Sequence, residues 1–131
     1  MRILVVDDDY VSRVKLLTLL GAYGQCDGAP NGEIAVKLFE EAHKELVPYD
    51  LVTMDIEMPV MNGHETVSRI REIERALQLN SQQAAKILMV TVHKAMKQVA
   101  SSYQEGCDGY LTKPTTPEDL KKTLLEVGFQ I

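Results

Sequence analysis

Residues 50–63 read DLVTMDIEMPVMNG, and the way this stretch divides decides the fold. Asp50 to Met54 is a short, mostly apolar run that suits a strand covered on both faces, and Pro59 with Gly63 reads as a tight turn before a helix. Asp55 stands at the tip of that strand, with no helix start immediately beside it to cap. Three other apolar runs end in a similar manner: ILVV (3–6) in Asp7 and Asp8, ILMV (87–90) in Thr91, and YLT (110–112) in Lys113. As parallel strands, the four runs would bring all these polar endings to one edge of one sheet, where open α/β sheets bind their ligands.

Between the runs the spacing is helical. Asp8 or Asp9 can cap a first helix in which Val11, Val14, Leu17 and Leu20 recur at helical intervals and which Gly24 ends. A short strand follows around Cys26. Asn31 and Gly32 open a second helix with an apolar stripe of Ala35, Leu38, Phe39, Ala42 and Leu46, closed by Pro48. Val67, Ile70, Ile73 and Leu77 form the buried side of a third. Asn80 to Ala85 is a longer connection than strand–helix units usually need. Ile87 to Val92 is a fourth strand, Met96, Val99, Ala100 and Tyr103 mark a fourth helix closed by Gly106, and Gly109 to Thr112 is a fifth strand. Thr116, Pro117 and Asp119 supply a cap, a first-turn proline and the far half of a capping box for the last helix, which Gly128 ends. Strand followed by helix, five times over, gives an α/β fold: right-handed crossovers convert it into a five-stranded parallel sheet with helices on both faces.

Composition bounds the function. A chain of 131 residues with 45% hydrophobic content fits one compact domain over residues 1–131, burying roughly two-thirds of its unfolded surface. Acidic residues outnumber basic ones by 19 to 14, and the lysines and arginines form no cluster. An electrostatic footprint for nucleic acid is therefore missing. Only Ile3 to Val6 precede the first aspartates, far short of a signal-peptide core, and no apolar stretch approaches the roughly 18 residues of a membrane-spanning helix. A soluble, cytoplasmic protein without a membrane or nucleic-acid partner is expected.

The chemistry lies in the combination. Acidic residues before a helix are ordinarily caps, so Asp7, Asp8 and Asp9 alone say little. Asp55 packed near Asp7 and Asp8 would raise at least one carboxyl pKa through like-charge repulsion unless a cation intervenes. Oxygen-only ligands with few carboxylates suit Mg²⁺, which accepts phosphate oxygens as further ligands. A metal, the Lys113 ammonium and the Thr91 hydroxyl would surround a phosphoryl group, leaving Asp55 as the nucleophile that receives it.

Taken together, VVDD (5–8), MDIEMPVMNG (54–63), LMVT (88–91) and GYLTKP (109–114) resemble a response-regulator receiver domain of the CheY-like, single-domain kind, over roughly Arg2 to Val127. The resemblance implies a flavodoxin-like, doubly wound sheet of strand order 2-1-3-4-5. It implies an acyl phosphate on Asp55, Mg²⁺ bound directly by Asp8, Asp55 and the backbone carbonyl of Glu57, and Asp7 helping through water. Lys113 would contact the phosphoryl group, and the Lys113–Pro114 peptide would be cis. Thr91 would turn its hydroxyl to the phosphoryl oxygen and Tyr110 would swing inward with it, changing the face built from the fourth helix, fifth strand and fifth helix. The implied phosphodonor is a sensor histidine kinase or a phosphotransfer protein, and the implied output is a downstream protein target, with no DNA-binding output domain. With this strand order Cys26 and Cys107 sit near opposite edges, about 19 Å apart over four strand spacings, which excludes a disulfide between them.

Some positions depart from the family pattern. Val92 stands where a small residue is common and would narrow the phosphoryl entrance. Thr115 replaces a frequent aromatic. Glu57 and His93 are expected to face each other across the same mouth, where a histidine titrates near neutral pH. His43 and His64 lie on predicted helices without metal-ligand spacing, as surface residues. Asp55-Ile56-Glu57 also resembles the paired acids of haloacid-dehalogenase-type phosphatases, although that family places its pair after the first strand. A flavin-binding reading shares the fold but needs a Ser-, Thr- and Gly-rich loop where three aspartates stand. A constitutive binding module and a phosphorelay intermediate are the remaining alternatives.

Overall fold

The computed structural model describes residues 1–58, 60–92 and 106–131. In chain order it forms β1 (Arg2–Val6), α1 (Tyr10–Leu20), β2 (Gln25–Ala29), α2 (Gly32–Lys44), β3 (Leu51–Asp55), α3 (Gly63–Ala76), β4 (Lys86–Thr91), β5 (Gly109–Thr112) and α4 (Pro117–Glu126). Pro59, His93 and the helix expected around Met96, Val99, Ala100 and Tyr103 lie outside the described residues, so α4 is the helix expected last. The strands form one sheet in the order β2-β1-β3-β4-β5, every neighbouring pair parallel.

Period-two alternation on buried strands divides the core in two. Leu4, Val6, Val52, Met54, Ile87 and Met89 face α2 and α3, where they meet Phe39, Ala42, Val67 and Ile70. Ile3, Val5, Leu51, Leu88 and Val90 face the other side with Leu16, Leu20, Leu120 and Leu124 of α1 and α4. Both faces are covered, as the continuous apolar runs require. Every described helix begins at a capping side chain: Asp9 accepts from Ser12 N, Asn31 from Ile34 N, Asn62 from Glu65 N and Thr116 from Asp119 N. These caps start each helix in the loop that follows a strand tip and so help fix the loops that carry the polar residues.

The faces and ends of the helices correct several expectations. On α1 the buried residues are Leu16 and Leu20, while Val11 and Val14 are exposed. Apolar residues are spread around this helix between Ser12, Arg13, Lys15 and Thr18, so spacing alone does not choose a face; contact with the sheet does. The helix also stops at Leu20, capped by Gly21, short of Gly24. Leu46 lies beyond the end of α2, at φ 63 and 85% exposed, because the chain turns left-handed there. Leu77 caps α3 and is exposed, and Glu74 takes the buried position instead. Val92 falls outside β4 and is exposed, and Asp50 precedes β3.

Glu74 is buried because Arg71 meets it. Arg71 Nη1 donates to Glu74 Oε1 at 2.6 Å and to Ala85 O at 2.8 Å, while Nη2 donates to Gly106 O at 2.7 Å and Asp108 Oδ2 at 3.0 Å. Glu74 Oε2 accepts from Ala85 N at 2.7 Å, and Asp108 Oδ2 from Ile87 N at 2.8 Å. One guanidinium thus organises the long connection Asn80–Ala85 and the approach to β5. Arg71→Met should cost about 3–5 kcal/mol, since it strands the Glu74 carboxylate without a counter-charge. Urea unfolding measures this, and a loss below about 1 kcal/mol would contradict the assignment.

Candidate functional site

Three strand tips supply the site. Asp7 follows β1, and its amide donates to Ala29 O at 3.1 Å, continuing the β1–β2 ladder by one residue. Asp7 Oδ1 accepts from Asp9 N at 2.9 Å, which turns the chain into α1. Asp55 ends β3, and its Oδ1 accepts from Glu57 N at 3.3 Å. Gly63 holds this tip from behind: its amide donates to Ile56 O at 3.0 Å, and a Cβ there would collide with the carbonyl oxygen of Asp55. Lys113 follows β5, anchored through its amide to Thr91 O at 2.8 Å.

Asp7, Asp8 and Asp55 each offer a carboxylate oxygen, all lying within 4.8 Å of one another. Asp7 and Asp55 are buried and Asp8 is exposed. Lys113 Nζ stands 2.9 Å from Asp7 Oδ2 and 3.6 Å from Asp55 Oδ2. Lys113 is thus the counter-charge of the buried Asp7 carboxylate and reaches Asp55 less closely. An all-oxygen donor set of three convergent carboxylates, two of them buried, fits a hard divalent cation such as Mg²⁺.

Of the other residues singled out in the sequence, Thr91 ends β4 and is 4% exposed. Glu57 has its amide at Asp55 and an exposed side chain. Tyr110, expected to swing inward, is already buried at 7% exposure. The Lys113–Pro114 peptide is cis. Cys26 and Cys107 form no disulfide with each other, one lying on β2 and one just before β5 at the opposite edge. His43 packs edge-on against Phe39 with ring centroids 5.1 Å apart, and is only partly exposed. Sequence reading took Gly63 for a turn residue and missed its close approach to Asp55; a glycine placed directly before helical spacing was the available signal.

Burial is the main influence on Asp55. It drives the carboxyl pKa up against the pull of Lys113, Asp7 and Asp8 add to the rise, and the Glu57 amide opposes it, leaving the group at about 7 in the metal-free pocket. Burial would depress the Lys113 ammonium, yet the Asp7 and Asp55 carboxylates outweigh it and hold that pKa above its ordinary value.

The family model for the response regulator receiver domain matches residues 3–125. The two-component response regulator ORR41 of Oryza sativa subsp. japonica is 35% identical over 123 residues, covering 92% of this chain and 88% of ORR41. Other curated relatives are longer, this chain spanning 7% of one and 53% of another. The receiver domain of the histidine kinase CKI1 from Arabidopsis thaliana, complexed with Mg²⁺ and BeF₃⁻, superposes with a TM-score of 0.83 at 25% identity, over 96% of this chain and 88% of that one. The receiver domain of the Saccharomyces cerevisiae response regulator Ssk1, crystallised with the histidine phosphotransfer protein Ypd1, gives 0.79 at 27% identity, over 93% and 84%. These likenesses favour neither the phosphatase nor the flavin reading. Among the described residues no helix is long and apolar enough to cross a membrane.

The electrostatics of Asp55 set a pH dependence. Folded, the group keeps its proton to about pH 7, whereas its ordinary value is 3.8. Between those values the folded chain binds more protons than the unfolded chain, so this group lowers stability as pH rises. Asp55→Asn removes the effect. Without Mg²⁺, the variant should melt at the same temperature as the parent near pH 4, draw ahead through the interval up to about pH 7, and keep a constant lead above it. Thermal melts across that range measure the gap, and a gap that shrinks with rising pH would contradict the assignment.

Proposed function

The chain belongs to the response regulator receiver family of two-component systems, and from that premise we propose that it accepts a phosphoryl group on Asp55 and reports the event to a protein partner. The observation that carries this reading is the Lys113 ammonium standing opposite two acids from separate strands, 2.9 Å from Asp7 and 3.6 Å from Asp55. Asp7, Asp8, Asp55 and the Glu57 carbonyl would hold Mg²⁺, which when bound supplies positive charge to the carboxylates and to the phosphoryl oxygens. An Asp55 carboxylate oxygen forms the new bond to phosphorus. The bond from phosphorus to the donor breaks, and its electron pair leaves with the donor. Lys113 offsets charge on the transferred group, and Thr91 offers a hydroxyl from the adjacent strand tip. The protein thus promotes its own phosphorylation and dephosphorylation without being an enzyme that turns over a separate substrate.

A sensor histidine kinase or phosphotransfer protein suits the donor role, as the pairing of Ypd1 with the Ssk1 receiver illustrates. The output surface is the side formed by β5 and α4. A cavity of about 240 Å³ between β5 and α4, lined by Tyr110, Thr112, Asp119, Lys122 and Glu126, gives a partner side chain a place on it. Cytoplasmic residence follows from this role, and the acidic chain leaves nucleic acid without a counterpart.

Incubation with Mg²⁺ and acetyl phosphate should add the mass of one phosphoryl group to the wild type and nothing to Asp55→Ala, read by intact mass spectrometry. Label retained in Asp55→Ala would defeat the reading. Val92, 53% exposed, lines a cavity of about 410 Å³ with Lys113 and Pro114 beside the site. Its branched side chain narrows the approach, so Val92→Ala should be phosphorylated faster by small-molecule donors; equal rates for the two proteins would remove that role.

A further inference from the structure

Arg13 sits one turn into α1, outside the acid cluster, and its side chain turns back towards β1. Its Nη1 donates to the carbonyl oxygen of Asp7 at 2.8 Å. The stem passes β2 over Gly28: a Cβ there would lie 3.3 Å from Arg13 Cδ, 3.6 Å from its Cγ and 3.3 Å from Leu17 Cδ1. The guanidinium carbon lies 5.6 Å from the centroid of the Tyr10 ring, which covers its outer side. Helix α1 does not require this contact for its start, because Asp9 already caps it through Ser12 N at 2.9 Å.

The Asp7 carbonyl and the Asp8 amide share one rigid peptide plane. Asp7 N is tied to Ala29 O at 3.1 Å on one side of that residue, and Arg13 ties the carbonyl on the other. Together the two bonds set how two consecutive side chains diverge. Asp7 goes inward and Asp8 outward, yet their carboxylate oxygens still lie within 4.8 Å of each other and of Asp55. Consecutive residues leaving a strand tend to point apart, so this convergence needs the peptide plane held.

We propose that Arg13 is a positioning residue for the divalent-cation site, holding the Asp7–Asp8 peptide so that both carboxylates meet one ion together with Asp55. The inference rests on the metal-assisted phosphoryl-acceptor reading. It concerns the geometry of the acids, since the positive charge of Arg13 taken alone would oppose a cation.

Mg²⁺ is titrated into the unphosphorylated wild type, Arg13→Gln, Arg13→Lys, Gly28→Val and the Arg13→Gln/Gly28→Val double variant, followed by amide NMR shifts, with Tm measured alongside. In Arg13→Gln the Kd for Mg²⁺ should weaken roughly three- to tenfold, the lower end of what a group supporting a metal ligand contributes. The Mg²⁺ concentration for half-maximal phosphorylation by acetyl phosphate should move by the same factor, and the rate at saturating Mg²⁺ should stay as in the wild type. Arg13→Lys, which keeps a donor, should recover most of the affinity. Gly28→Val displaces the stem and should act in the same direction, and the double variant should be no weaker than the worse single one, because both remove one contact. An unchanged Kd with a lowered Tm would assign Arg13 to folding alone and overturn the proposal. A tightened Kd would overturn it too, since guanidinium repulsion would then outweigh positioning. A wild type that takes up neither Mg²⁺ nor phosphoryl would defeat the earlier reading instead.

Discussion

Three carboxylates brought within 4.8 Å of one another, with the Lys113 ammonium beside two of them, is the encounter on which this molecule turns. Like charges at that separation repel, and burial denies two of them the water that would screen them. Lys113 approaches Asp7 and Asp55 at unequal distances and can compensate only part of the charge. Burial decides the outcome at Asp55: against the pull of Lys113, and with Asp7 and Asp8 adding to the rise, it pushes the carboxyl up to about 7. Such a cluster persists only on a scaffold that cannot relax. The strands beneath it are buried along most of their length, and their apolar side chains are gripped by helices on both faces.

The two ends of the sheet treat buried charge in opposite ways. Near the start of β4, Arg71 spreads its donors over Glu74, Asp108 and two backbone carbonyls, and Glu74 and Asp108 accept backbone amides in return. Each charged group there has hydrogen-bond partners, and the result is a firmly tied joint. At the carboxyl end three acids meet, and Lys113 stands 2.9 Å from Asp7 and 3.6 Å from Asp55. Val60, in the loop after β3, stands at φ 70 with its side chain 85% exposed, a conformation that costs a β-branched residue energy. Charge tied down by hydrogen bonds gives stability; three crowded acids and strain at the other end leave something for a ligand or partner to relieve.

Which parts were legible in the sequence follows from the range of the forces involved. Strand tips were readable because a buried strand must be apolar along its length, so the first polar residue marks the edge: Asp7, Asp55, Thr91 and Lys113 all stand at or just beyond strand ends. The cap at Thr116 and the span Gly109–Thr112 were readable for the same local reasons. The face of α1 was not, since Val11, Val14, Leu16 and Leu20 all suit burial and only docking on the sheet selects the last two. Leu46 and Leu77 extended apolar spacing past points where the chain had turned, with left-handed Leu46 and Gln78 making the turns. Arg71 and Arg13 were invisible because each acts on residues far away or on backbone carbonyls, and neither leaves a periodic mark.

Energetics then limit how such a site can signal. A charge-assisted hydrogen bond contributes about 1.5–3 kcal/mol, and inverting a 1:99 equilibrium takes about 5.5 kcal/mol. Lys113 and Thr91 acting on a phosphoryl group supply at most about that amount between them. Their backbones are joined at 2.8 Å, so the tips of β4 and β5 respond as one unit. Tyr110, two register pairs back along β5, is already buried without any phosphoryl group. On the proposed function, phosphorylation therefore shifts a population that exists beforehand, and a partner on the β5–α4 side completes the shift with its own contact energy. Linkage makes this reciprocal: a partner that prefers the shifted form must raise the affinity of the acid cluster for whatever occupies it by the same factor.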